Sequence, residues 1–143
     1  MLSQTVEYAL RAMIVLAADR QARTVQEVAR ESQIPVDYLA KILRSLSRAG
    51  LVSGQRGRGG GFQVARPAGE ITVLDVVDAV DPLRPIKECP LGLAAHERQL
   101  CPLHKKIDEA IRSARDAFAA TTLESLVHDQ LTFGEGKRLH VLA

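Results

Sequence analysis

Within sixteen residues of a 143-residue chain fall Cys89, His96, Cys101 and His104. Thiolate sulfur is a soft ligand and imidazole nitrogen a borderline one, so this set suits zinc or an iron–sulfur cluster. Cys101 and His104, with two residues between them, can reach one metal from a single helical turn. Each cysteine precedes a proline, Pro90 or Pro102, which removes a nearby backbone donor and presents the sulfur from extended chain. A Cys-Pro pair can also serve as an axial haem thiolate. The plainest alternative is two buried thiols and two surface imidazoles. Catalysis has no such support, because no Ser or Cys nucleophile has a base partner at a recognisable spacing; an enzyme is not expected.

The elements around this cluster carry an uneven charge. Nineteen Lys and Arg against seventeen Asp and Glu give a net charge of only +2. Yet no acid occurs between Asp37 and Glu70, where Lys41, Arg44, Arg48, Arg56, Arg58 and Arg66 all lie. A basic block confined to one region is the footprint of an anionic partner, with nucleic acid the first candidate. Aromatic residues are 3% of the chain and Trp is absent, which disfavours a β-sandwich and favours an aliphatic helical core. No apolar run, that of Met13 to Ala18 included, approaches the ~20 residues of a membrane span. With no export signal and too few cysteines for a disulfide framework, a cytoplasmic protein with reduced thiols and no membrane partner is expected.

Apolar residues at helical spacing, Val6, Ala9, Leu10, Met13, Ile14 and Ala17, predict a helix over about residues 3–20. Thr24 and Glu27 have the spacing of a capping box for a short second helix. After the Gln33-Ile34 turn, Pro35 opens a third, with Val36, Leu39, Ile42, Leu43 and Leu46 as its buried stripe. That is helix-turn-helix order. Residues 51–54 and 62–65 read as two strands around the Gly-rich tip Gln55–Gly61. The expected fold class is therefore mainly α with a small β-hairpin wing: a winged helix-turn-helix followed by a long C-terminal helix. A P-loop is not expected, since the Gly-rich stretch lacks the Lys-Ser/Thr ending and the helix after it.

In this architecture Lys41 and Arg44, opposite Leu39 and Leu43, enter or flank the major groove, with Asp37 and Tyr38 near the start of the recognition helix. Thr24 and Gln26 touch phosphate. Arg56, and after it Arg58, probes the minor groove, whose negative potential attracts guanidinium groups. The expected organisation is a DNA-binding domain over 1–81, a Cys/His sensor loop over 82–102, a dimerisation helix over 103–130 and a tail over 131–143. Ile107, Ile111, Ala114 and Phe118 line one face of that helix, and a second copy of the chain is the economical cover. A homodimer then demands a roughly palindromic operator in double-stranded DNA.

The start Met1-Leu-Ser with Tyr8-Ala-Leu-Arg-Ala-Met13, the Val36-x-Tyr38-Leu39 helix and the wing Arg56-Gly-x-Gly-Gly-Gly61-Phe62 resemble the IscR/NsrR/CymR family of bacterial winged-helix regulators. The resemblance covers about residues 1–130. It implies a homodimeric transcriptional regulator, a repressor by preference, sensing iron–sulfur supply, iron, nitric oxide or redox state. It also implies a 2Fe–2S cluster, with zinc or no metal as alternatives. In the family's three-cysteine pattern, Cys89 and Cys101 match the outer positions and His104 the histidine that follows. The middle position is Ala95, a departure, with His96 beside it. Glu7 matches an acidic ligand that some members supply from the partner subunit. The implied ligand set is Cys89, Cys101 and His104 with either Glu7 or His96.

Overall fold

The computed structural model describes residues 2–92 and 99–128. Helix α1 (Gln4–Ala17) begins where the Ser3 hydroxyl accepts the Val6 N–H, and it buries Val6, Ala9 and the run Ala12–Leu16. A helix buried this completely is the centre of the domain rather than a surface element. Against it pack α2 (Val25–Ser32), α3 (Val36–Arg48), α4 (Val73–Val80) and the short α6 (Leu123–His128). The shared core holds Met13, Leu16, Val28, Leu39, Leu43, Leu46, Ile71 and Val76. Truncating one such leucine to alanine costs about 2–5 kcal/mol.

The turn between α2 and α3 is tight because Gln33 adopts a left-handed conformation, φ 56°, closing α2 with its N–H on the Ala29 carbonyl. Such a cap ends a helix within one residue. Pro35 occupies the N-cap position of α3, just outside its first turn. Strands β1 (Val52–Gln55) and β2 (Gly61–Val64) pair antiparallel in the register Val52 with Val64 and Gln55 with Gly61. The wing is anchored along β2, close to its tip, by a further bridge, in which Arg23 and Phe62 exchange backbone hydrogen bonds of 2.8 and 2.7 Å. This close approach explains Gly61. Its φ is 144°, and a β-carbon there would sit 2.3 Å from the Arg23 carbonyl oxygen.

The C-terminal half departs from the single helix expected over 103–130. Helix α5 (Pro102–Ala119) stops, and Thr122 pairs in extended form with Thr72. The Val73 N–H donates to the Thr121 carbonyl, and the Leu123 N–H to the Ile71 carbonyl. β-Branched Thr121 and Thr122 suit that extended crossing. Leu123 and Val127 of α6 then return to the core. Among the described residues no helix is long and apolar enough to cross a membrane.

Candidate nucleic-acid interface and metal centre

The second helix is held by the expected capping box. The Thr24 hydroxyl accepts the Glu27 N–H at 3.2 Å, and the Glu27 carboxylate accepts the Thr24 N–H at 2.8 Å. The Thr24 hydroxyl in turn donates to the same carboxylate at 3.0 Å, and the bonds donated to it, first by the Thr24 N–H and then by the hydroxyl, hold the Glu27 carboxyl below its ordinary value. Thr24 and Gln26 are exposed at this helix start. On α3, Asp37, Lys41 and Arg44 are exposed, while Leu39 and Leu43 lie in the core. The wing tip presents Arg56 and Arg58 to solvent. Guanidinium and ammonium groups thus stand on the outer face of α3 and on the hairpin beside it.

Tyr38 is placed differently from its neighbours. It is half-buried, shares a 2.6 Å hydrogen bond with Thr5 and stands edge-on to Tyr8, ring centroids 5.4 Å apart. Arg23 had given no sequence signal. Its guanidinium pairs with Asp19 and Glu31 while its backbone pairs with the wing, so one residue ties α2 to the hairpin. An arginine just before a capping box is a weak pattern, and its partners come from three different parts of the fold.

The second cluster forms where the Cys/His segment meets α5. Cys101 is the N-cap residue of α5 and Pro102 its first residue, a position that needs no N–H. One turn on, His104 Nδ1 lies 3.1 Å from Cys101 Sγ and 3.6 Å from Cys89 Sγ. All three donor atoms lie within 4.8 Å of one another, and all three residues are half-buried. Around one tetrahedral metal with bonds of about 2.3 Å to sulfur and 2.0 Å to nitrogen, sulfur–nitrogen edges run near 3.5 Å. The donor set therefore fits a thiolate-bound metal, either a single ion or one side of a cluster. His96 and Ala95 lie outside the described residues, as does the tail. Within the chain, the exposed Glu7 pairs with Arg11.

Two residues that spacing alone did not single out hold this region. Asp108, the buried carboxylate of α5, accepts the Ile86 N–H at 2.7 Å and Arg112 Nε at 2.7 Å. The Arg112 contact is the main cause holding its carboxyl below the ordinary value. Arg115 donates to the Leu83 carbonyl at 2.8 Å and clamps both oxygens of Asp78 at 2.8 and 3.0 Å. The Asp108–Arg112 spacing of four was readable as a helix-surface pair; the backbone it grips was not. Elsewhere on α5, Leu103 (64% exposed) and Ile107 (40%) face solvent, Ile111 and Ala114 are half-buried, and Phe118 packs beside Val6, Val73 and Val77.

Residues 2–129 match the family described as Rrf2, iron-dependent transcriptional regulator. A protein of Aquifex aeolicus assigned as an HTH-type transcriptional regulator is 32% identical over 88% of this chain and 90% of its own length. The oxidized form of Staphylococcus aureus CymR is 28% identical and superposes with a TM-score of 0.67, over 88% of this chain and 94% of that one. Bacillus subtilis CymR, the global cysteine regulator, shares the fold at a TM-score of 0.72 and 23% identity, over 88% and 95%.

Proposed function

Because the chain belongs to the Rrf2 family of DNA-binding transcriptional regulators, we propose that it acts as a homodimeric repressor whose operator affinity is set by a metal centre at Cys89, Cys101 and His104. The convergence of those three donor atoms within 4.8 Å carries this reading. The family description, iron-dependent, favours iron over other metals, and a 2Fe–2S cluster is the occupant we assign. The fourth ligand is Glu7 of the partner subunit or His96. Zinc is the second reading, favoured by sulfur–nitrogen edges of 3.1 and 3.6 Å that suit one tetrahedral ion.

Bound metal supplies charge compensation for two thiolates and a covalent link between the segment before α5 and the start of α5. The chain's own residues do the rest. Cys101 caps α5 and His104 lies in its first turn, while Cys89 belongs to the segment leaving α4, so the centre sits at the junction of two parts of the fold. DNA is held by Lys41 and Arg44 in the major groove, with Asp37 and Tyr38 beside them. Thr24 and Gln26 meet phosphate, and Arg56 and Arg58 lie at the minor groove. The exposed Leu103 and Ile107, continued by Ile111 and Ala114, support pairing of two α5 helices. In the dimer two half-sites lie in inverted orientation, so the operator is a palindrome.

Selection of random duplexes by the purified protein, with an optical spectrum and metal analysis after anaerobic reconstitution, tests both halves. An enriched inverted repeat and thiolate-to-iron absorption are expected. No enriched repeat would overturn the DNA reading. A colourless protein containing neither iron nor zinc would overturn the metal centre.

A further inference from the structure

The segment before Cys89 and the helix after Cys101 run antiparallel, and their contacts follow one another in order. Leu83 meets Arg115, Ile86 meets Asp108, and Cys89 meets His104. Helix positions 104, 108 and 115 lie within about 40° of one another around the axis, so the three partners share one face of α5. Along that face they are separated by about 6 and about 10 Å, at 1.5 Å per residue. Each three-residue step from Leu83 to Ile86 to Cys89 spans up to about 10 Å when extended. The segment is thus in register with the helix face beneath it.

The chemistry of the middle contact argues for more than packing. A buried carboxylate is costly unless both oxygens are satisfied. Those of Asp108 are satisfied by a cation, Arg112, and by one backbone N–H belonging to a residue 22 positions earlier. A bond between an ionised acceptor and a backbone N–H is stronger than a neutral one and fixes the segment's height along α5. Arg115 adds a second fixed point, and its clamp on Asp78 joins that point to α4.

We propose that Asp108 and Arg115 are positioning residues for the Cys89–Cys101–His104 centre. They seat residues 83–89 as a strap along α5 and so bring the Cys89 sulfur to the other two ligands before any metal binds. The strap stands on its own geometry; its role in metal binding rests on the function proposed above. Because Arg115 also grips Asp78, the strap that carries Cys89 is fixed to the winged-helix body.

The reduced, metal-free full chain reports this directly through thiol cross-linking. Dibromobimane becomes strongly fluorescent when it joins two neighbouring thiols, whereas monobromobimane labels each alone. In Asp108→Ala and Arg115→Gln the cross-linking rate is expected to fall at least about fivefold, because the two sulfurs lose their high effective concentration. Monobromobimane labelling and the helical circular dichroism should persist. Asp108→Asn, which keeps an acceptor for the Ile86 N–H, should stay within about twofold of the parent chain. Arg115→Gln carries the test if Asp108→Ala does not fold. Unchanged cross-linking in the folded variants would overturn the proposal.

An anaerobic Co2+ titration, followed by thiolate-to-cobalt absorption, reads the same residues through the metal. Asp108→Ala should bind about 10–100-fold more weakly than the parent, the usual loss when a ligand's outer support is removed. Unaltered Co2+ affinity would contradict the positioning role. Co2+ that binds neither the parent nor any variant would instead overturn the metal centre, while cross-linking still decides the strap.

Discussion

The hydroxyl of Tyr38 on α3 lies 2.6 Å from Thr5 Oγ1 on α1, with the two side chains bonded across 33 residues of sequence. The recognition helix is therefore fastened to the central helix through the very residue expected at its DNA-facing start. Tyr38→Phe removes this bond and keeps the edge-on contact with Tyr8. We expect it to lower unfolding stability by about 1 kcal/mol in a urea titration. Operator affinity should fall less than about threefold. A large loss of base preference at one operator position would mean that Tyr38 leaves Thr5 to read DNA.

Lys41, Arg44 and Arg56 should divide by the kind of contact each makes. Alanine at a side chain that reads a base edge costs about 1–3 kcal/mol of discrimination and relaxes one position of the operator. Alanine at a phosphate contact weakens all sequences alike and lowers the salt slope by about one. Lys41→Ala and Arg44→Ala are expected in the first class, or at its edge, and Arg56→Ala should weaken A·T-rich flanks most. Anisotropy titrations at several salt concentrations separate these outcomes.

Glu27 makes the start of α2 sensitive to acid. Its carboxyl is held below the ordinary value by the Thr24 backbone and hydroxyl. The stabilisation is present above the ordinary carboxylate value and is lost as pH falls through the lowered one. The difference in thermal midpoint between the parent and Glu27→Gln should therefore be greatest near neutral pH and shrink on acidification. Thr24→Ala, which removes the cap itself, should cost about 1 kcal/mol at neutral pH.

Ile111→Glu places a charge on the apolar face of α5 that Leu103 and Ile107 expose. Sedimentation should show a monomer for this variant and a dimer for the parent. Operator affinity should fall with it, because a single half-site loses its tethered second contact. A dimer that survives Ile111→Glu places the seam elsewhere.

Much of this architecture was legible because its causes are local. The Thr24–Glu27 capping box is a four-residue pattern and forms as its spacing requires. The glycines of the wing announced a hairpin, and the reason for Gly61 itself, the close approach of Arg23, emerged only in three dimensions. The end of α5 at Ala119 escaped the periodic pattern because the stop comes from pairing with Thr72, about fifty residues away in sequence. Cys101 and His104 were adjacent on paper. That Cys89 joins them depends on Asp108 and Arg115 gripping backbone atoms, which no side-chain pattern encodes. Phe118 fell on the apolar stripe of α5, yet it packs on Val6, Val73 and Val77 of its own chain.

Operator affinity on one preparation, measured by anaerobic fluorescence anisotropy before and after loading of the Cys89–Cys101–His104 centre, tests most directly whether metal occupancy governs DNA binding. A ligand shifts the equilibrium only through unequal affinity for the two states. The two forms should differ at least about tenfold in Kd, a coupling of about 1.4 kcal/mol, and Cys89→Ala should show only the metal-free value. Identical Kd values for the loaded and metal-free protein would contradict it.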